Sequence, residues 1–183
     1  MTHEGLIKIG VKWLQKSYAA CAPYGHSSMT VIVTELVTGM EIPDVLGFSA
    51  SRGITVLLEA KTSRSDFLKE LKDKPFRNPS LEENGMGSQR WYIAPAGIIP
   101  VELLPPKWGL LEYEEKKDAL KISRRSEIFK KNDVNEMRIL CSVLCRLKLK
   151  ETDEHVAIRV YEDLGFEAKK KAAVFIDKEQ EKK

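Results

Sequence analysis

The pattern of apolar and polar positions divides the chain into short blocks of two periods. Residues 5–21, GLIKIGVKWLQKSYAAC, place Leu6, Ile9, Trp13 and Leu14 at helical spacing and predict an amphipathic helix. APYGHSS then interrupts the pattern with Pro, Gly and Ser. MTVIVTELV at 29–37 is β-branched and apolar, DVLGFSA is a second short strand, and ITVLLEAKT is a third, apolar enough for the middle of a sheet. The turns TGMEIP and SRG separate them. Ser63 or Ser65 can cap the next segment, SRSDFLKELKDK, which carries Asp66 early and lysines late, as a helix dipole favours. Residues 75–89, PFRNPSLEENGMGSQ, predict a long mobile connection of the kind that serves as a lid or binding loop. RWYIAPAG is a fourth strand, and a proline-rich turn leads into GLLEY.

The order helix, three strands, helix, strand predicts a mixed α/β sheet with helices on its faces. The strand–helix–strand step at 54–94 is expected to be a right-handed parallel crossover. Beyond residue 114 the character changes. KISRRSEIFKK is dominated by charge, MRILCSVLCRLKLK is a helix with an apolar stripe, and TDEHVAIRVYEDLGF is a further helix stopped at Gly165. AKKKAAVFIDKEQEKK is expected to be a frayed or extended tail. The expectation is a core over residues 1–114 and a charged, mainly helical C-terminal extension over 115–183.

Composition narrows the classes. A chain of 183 residues that is 43% hydrophobic suits one domain with a real core. A net charge of +3 permits nucleic-acid binding without establishing it. No apolar run reaches the length of a membrane span and no signal-peptide layout opens the chain, so the cytoplasm is the expected compartment. Three cysteines, Cys21, Cys141 and Cys145, do not form a disulfide framework; Cys141 and Cys145 are expected as small core residues on one helix face. His3, His26 and His155 have no partner at metal-ligand spacing and are taken as structural or surface residues.

The candidate chemistry lies where the apolar strand ITVLL runs into Glu59 and Lys61. Residues two apart on a strand project from the same face, and charged side chains are seldom buried without partners. Asp44 stands on the preceding strand. Hard divalent cations take oxygen ligands, usually one or two carboxylates with water and substrate filling the remaining positions. Asp44 and Glu59 can supply the carboxylates, the backbone carbonyl of Ala60 can add an oxygen, and Lys61 can neutralise charge developing on a phosphate. The bland alternative is a surface Glu–Lys pair beside a turn Asp. Other candidates also stay open. Glu35 is either a further acid for the site or an outward surface residue. Ser63 and Arg64 either hold a phosphate at a helix N-terminus or form a cap with a solvent-facing Arg. Arg90 either reaches the site from the next strand or is a surface residue. The basic residues Lys121, Arg124, Arg125, Lys130 and Lys131 are either a solvated charged face or a phosphate-tracking patch.

Pro43-Asp44 followed by Glu59-Ala60-Lys61 is similar to the motif of the PD-(D/E)xK nuclease superfamily, and the order of elements resembles its restriction-endonuclease-like core. A finer resemblance covers residues 31–113. Glu59-Ala-Lys61-Thr-Ser63-Arg64-Ser-Asp66-Phe67, Gly85-Met-Gly87, Arg90-Trp-Tyr92, Pro95-Ala-Gly-Ile-Ile99 and Leu104-Pro-Pro-Lys-Trp108-Gly-Leu-Leu111 resemble a bacterial and phage group related to the MmcB-like DNA-repair proteins. The resemblance implies metal-dependent hydrolysis of a DNA phosphodiester, with Mg²⁺ or Mn²⁺ on Asp44 and Glu59 and with Lys61 as the catalytic lysine. Many members of the superfamily have lost a motif residue and only bind DNA; this chain retains all three. Dimerisation is common there, which brings a homodimer into consideration, although no interface is legible in the sequence.

Overall fold

The computed structural model describes residues 1–16, 29–37, 42–50, 53–73 and 79–146, together with the backbone of residues 175–176. Helix α1 (His3–Lys16) precedes strands β1 (Val31–Thr34), β2 (Val45–Ser49) and β3 (Ile54–Ala60). Helix α2 (Arg64–Asp73), strands β4 (Gln89–Pro95), β5 (Gly109–Glu114) and β6 (Ala119–Arg124), helix α3 (Asp133–Arg146) and the short β7 (Phe175–Ile176) follow. The strands form one sheet in the order β6-β5-β4-β3-β2-β1-β7. β1, β2 and β3 are an antiparallel meander, whereas β3, β4 and β5 run parallel. β6 and β7 close the two edges antiparallel. The fold is therefore a mixed α/β sheet, and the step from β3 through α2 to β4 is parallel, as the sequence pattern requires. Among the described residues no helix is long and apolar enough to cross a membrane.

Strand alternation writes the two layers. Val56, Leu58 and Ala60 of β3, Trp91 and Ile93 of β4 and Leu111 of β5 pack with Leu6, Val11, Trp13 and Leu14 of α1. Trp13 meets Trp91 edge to face, with ring centroids 5.5 Å apart. The intervening residues Leu57, Tyr92 and Leu110 pack on the other side with Phe67 of α2 and with Ile139 and Val143 of α3. Burying a side chain of this size contributes roughly 1.5–3 kcal/mol, so both helical layers are tied to the sheet by apolar burial. Glu59 and Lys61 alternate with Leu58 and Ala60. They therefore face the α2 side.

Three expectations change. Residues 119–124 are not part of a separate extension: they pair with β5, with Leu120 and Ile122 packed against the core. Their alternation with Lys121 and Ser123 is that of an edge strand, whose solvated face tolerates charge. Helix α3 also buries Ile139 and Val143 in the shared core, so the boundary expected at 114 does not separate residues 119–146 from it. The second half of the 75–89 connection is packed rather than lid-like. Gly85, Met86, Gly87 and Ser88 are buried, and Gly87 takes φ +84° where a Cβ would stand 2.7 Å from the Leu57 side chain. Finally, Cys141 and Cys145 are exposed, because α3 turns Ile139 and Val143 inward instead. The expected helix over TDEHVAIRVYEDLGF, Cys21, His26 and His155 lie outside the described residues, as does most of the expected tail; its Phe175–Ile176 pairs with β1.

On the α1 side, the side-chain amide of Gln89 is fully buried, with neither Nε2 nor Oε1 hydrogen-bonded. An unsatisfied buried amide costs about 1–3 kcal/mol. Gln89→Met, similar in volume and without polar donors, is expected to raise stability by about 1 kcal/mol; a urea melt with a lower midpoint than the wild type would contradict this.

Candidate active site at the ends of the central strands

The ladder between β2 and β3 pairs Val45 with Leu58, so the next position along it sets Asp44 beside Glu59. Pro43 precedes Asp44, and the Asp44 carboxylate takes over the end of the ladder: its Oδ2 accepts the Ala60 N–H at 2.7 Å. On the other side of β3, the Lys61 N–H donates to the Ile93 carbonyl of β4 at 2.9 Å. Two bonds to neighbouring strands thus fix the backbone from which Glu59 and Lys61 project. Glu59 is 1% exposed and Lys61 7% exposed, which excludes a free surface pair.

The Lys61 ammonium is surrounded by acids. Its Nζ lies 2.6 Å from Glu70 Oε2 and 4.0 Å from both Glu59 Oε2 and Asp66 Oδ2. Burial works to lower the Lys61 pKa, but the charges of Glu70 and Glu59 and the hydrogen bond to Glu70 outweigh it, and the value is raised above that of an ordinary lysine. Lys61 is therefore a cation at neutral pH. Glu70 comes from α2, where it is buried, and its Oε1 accepts the Tyr92 hydroxyl hydrogen at 3.0 Å. Tyr92 is itself held between Phe67, at a 5.0 Å edge contact, and Trp108, stacked at 4.7 Å.

Two further groups reach the same end of the sheet. Glu35 follows β1 with a left-handed backbone, φ +48°, and its N–H donates to the carbonyls of Pro43 and Asp44 at 3.1 and 3.2 Å. A non-glycine residue in that conformation carries strain, of a kind concentrated at functional sites. The exposed Glu35 side chain therefore flanks Asp44. His3, at the start of α1, places Nε2 3.3 Å from Asp44 Oδ2. The hydrogen bond to Asp44 raises the His3 pKa, against a lowering by burial, and the charges of Asp44 and Glu35 reinforce the rise. Nothing in the sequence pattern marks His3 for this place. His3 is brought by the packing of α1 across the sheet. Glu70 could have been suspected from its place on the same turn-face of α2 as the inward Phe67, three residues earlier.

The remaining candidates are placed elsewhere or do other work. Ser63 is a helix cap, its Oγ accepting the Asp66 N–H at 3.2 Å, and Arg64 is exposed at the first position of α2. Arg90 does not reach the site. It pairs with Leu57 and is fully buried toward the opposite ends of the strands. Its guanidinium donates to the carbonyls of Gly87, Gly85 and Lys130 at 3.1, 2.9 and 3.0 Å and lies over the Phe129 ring. Most of the basic residues proposed as a phosphate-tracking patch are likewise engaged. Arg124 donates to the carbonyls of Trp108, at 2.6 Å, and Pro105. Lys131 contacts Glu136 at 2.5 Å and Asp133 at 2.9 Å, and Lys130 contacts Glu83 at 3.0 Å. Arg125 and Lys121 are exposed. The 125–132 segment itself is tied to the core by its backbone, with the N–H groups of Glu127, Phe129 and Asn132 donating to the carbonyls of Lys107, Ser88 and Gly85.

Hard divalent cations take carboxylate oxygens, usually one or two with water filling the other positions. Glu70 pairs with the Lys61 ammonium, and Asp44 and Glu59 are the two carboxylates that could hold a cation beside it. Among the described residues no group of three or more His, Cys, Asp or Glu side chains is placed to hold a metal ion. An open arrangement, with one or two carboxylates and the other positions left to water and phosphate, is the one Mg²⁺ favours.

Comparison with known proteins is sparse. No family model matches the chain, and no curated protein matches it. Among solved structures, the SPO1766 protein of unknown function from Silicibacter pomeroyi is similar at 22% identity, over 64% of this chain and 77% of its own, with a TM-score of 0.46.

Arg90→Met is expected to lower stability by about 2–4 kcal/mol, because it removes the hydrogen bonds to the Gly87, Gly85 and Lys130 carbonyls, while leaving divalent-cation affinity unchanged. Urea unfolding beside a cation titration checks both. Weakened cation binding at unchanged stability would return Arg90 to the site.

Proposed function

We propose that this chain is a Mg²⁺- or Mn²⁺-dependent DNA nuclease, acting in DNA repair, recombination or phage DNA processing. The observation that carries the reading is the convergence of Asp44, Glu59 and the buried, charged Lys61 at the ends of β2 and β3. That is the placement the resemblance to the PD-(D/E)xK superfamily implies. Asp44 and Glu59 would hold the metal, with the Ala60 carbonyl between them. The bound cation supplies a polarised phosphate and a coordinated water of lowered pKa. Lys61, whose ammonium is shielded from solvent, would stabilise negative charge on the phosphate oxygens as the water oxygen adds to phosphorus and the P–O bond of the leaving strand breaks. An enzyme of this kind would act where DNA is found, in the cytoplasm. A homodimer would set two such sites against the two strands of a duplex.

A second reading has support of its own. The Lys61–Glu70 ion pair is a satisfied structural contact, and a fold that keeps it can bind DNA without cutting. Cleavage separates the two. Linear, nicked, branched and single-stranded DNA are incubated with Mg²⁺ or Mn²⁺ and with wild type, Lys61→Ala or Asp44→Asn. The nuclease reading expects metal-dependent cutting by the wild type and a loss of about 100-fold or more in each variant. Asp44→Asn keeps an acceptor for the Ala60 N–H, and a urea melt of each variant separates lost catalysis from unfolding. Binding by all three proteins with cutting by none would establish the DNA-binding module instead.

A further inference from the structure

The catalytic motif accounts for Asp44, Glu59 and Lys61 but leaves unexplained a second buried carboxylate, Glu70, in closer contact with the lysine than the motif glutamate is. Glu70 Oε2 stands 2.6 Å from Lys61 Nζ, against 4.0 Å for Glu59 Oε2. Its other oxygen is occupied by the Tyr92 hydroxyl at 3.0 Å. Tyr92 is immobilised on both sides by aromatic rings, and it pairs with Glu59 in the parallel ladder between β3 and β4. The chain of contacts runs from the core outward: a packed ring fixes a carboxylate, the carboxylate fixes an ammonium, and the ammonium faces the acidic end of the sheet.

A lysine stem has four rotatable bonds, and ordering it costs rotamer entropy. An ammonium meant to meet a phosphate at one moment of a reaction gains by having that entropy lost in advance. Glu59 does not do this at 4.0 Å, beyond hydrogen-bond range, and in the proposed reaction its carboxylate is committed to the cation. Asp66, also at 4.0 Å, is about half exposed and holds nothing firmly. Glu70 alone among the three combines contact distance, burial and a second anchor.

We propose that Glu70 is a positioning residue for Lys61: anchored by Tyr92, it holds the ammonium in place between Glu59 and Asp66, so that an incoming phosphodiester meets a lysine already oriented. This rests on the nuclease reading. Glu70 contacts no substrate and transfers no proton. It acts through Lys61, and removing it therefore lowers the rate of the chemical step without weakening DNA or metal binding.

The test is a kinetic double-mutant cycle on Lys61→Ala and Glu70→Gln, with Tyr92→Phe and Asp66→Asn as companions, measuring kcat and KM on the best DNA substrate and Mn²⁺ affinity by electron paramagnetic resonance. Glu70→Gln is isosteric, and Tyr92→Phe removes one hydroxyl, so at least one of the two is expected to fold. The proposal expects Glu70→Gln to lower kcat by about 10- to 100-fold at unchanged KM and Mn²⁺ affinity. Tyr92→Phe should lower kcat by several-fold, and Asp66→Asn should stay within about twofold. The double variant should be no slower than Lys61→Ala alone, since a residue that acts only through Lys61 has nothing left to position. Full activity in Glu70→Gln, losses that multiply in the double variant, or a loss of Mn²⁺ affinity in Glu70→Gln would overturn it while leaving the nuclease intact. A wild type that cuts no DNA would overturn the nuclease reading and the positioning role with it.

Discussion

A lysine ammonium shielded from water has to be matched by carboxylates, and at Lys61 that requirement organises one end of the sheet. Taking an ion out of water costs several kcal/mol even after relaxation, and removing one partner of a buried pair costs about 3–5 kcal/mol. Lys61 and Glu70 therefore depend on each other for the fold to close around them, and α2 is held to β3 and β4 by that pair as well as by Phe67. Such a pair is often no more stable than apolar residues of the same size would be. Its presence at the end of an apolar strand is better explained by chemistry than by stability.

The rest of the molecule keeps this end in place by rigidity at the other. There Glu136, buried in the first turn of α3, accepts the Thr55 hydroxyl and the Gly87 N–H, both at 2.8 Å, and contacts Lys131. Ser88 and Thr55 exchange hydrogen bonds across the start of β3 and β4, and Arg90 gathers the Gly85–Gly87 turn and Lys130. Buried hydrogen-bonded networks favour one arrangement of the elements they join. Thr55 and Glu59 are about 13 Å apart along one strand, at the usual rise per residue. The network at the first thus sets the register from which the second is presented.

The sheet was legible because its strands obey a period of two with turn residues between them: β1 to β5 fall where VIVT, VLGFS, ITVLLEA, QRWYIAP and GLLEYE stand in the sequence. The cap at Ser63 and the parallel step to β4 were legible for the same local reasons. β6 was not, because the alternation of Leu120 and Ile122 is submerged in the charge that an edge strand is free to carry. The face of α3 was misjudged at Cys141 and Cys145, since a helix with apolar residues on two sides does not declare which one meets the sheet. At the site, the spacing of Asp44, Glu59 and Lys61 could be read directly, whereas His3 and Glu70 enter through tertiary packing. Arg90 also could not be placed from the sequence. The sequence left it open between a place at the site and the surface, and its contacts with three carbonyls place it at neither.

The nuclease proposal requires Asp44 and Glu59 to hold one divalent cation beside Lys61. Titration of the protein with Mn²⁺, followed by electron paramagnetic resonance of the free ion, tests it without reference to any substrate. The account predicts one bound Mn²⁺ per chain, displaced by excess Mg²⁺ and lost in Asp44→Asn and in Glu59→Gln. Free Mn²⁺ equal to total Mn²⁺ up to millimolar concentration, or binding that survives both substitutions, would contradict it.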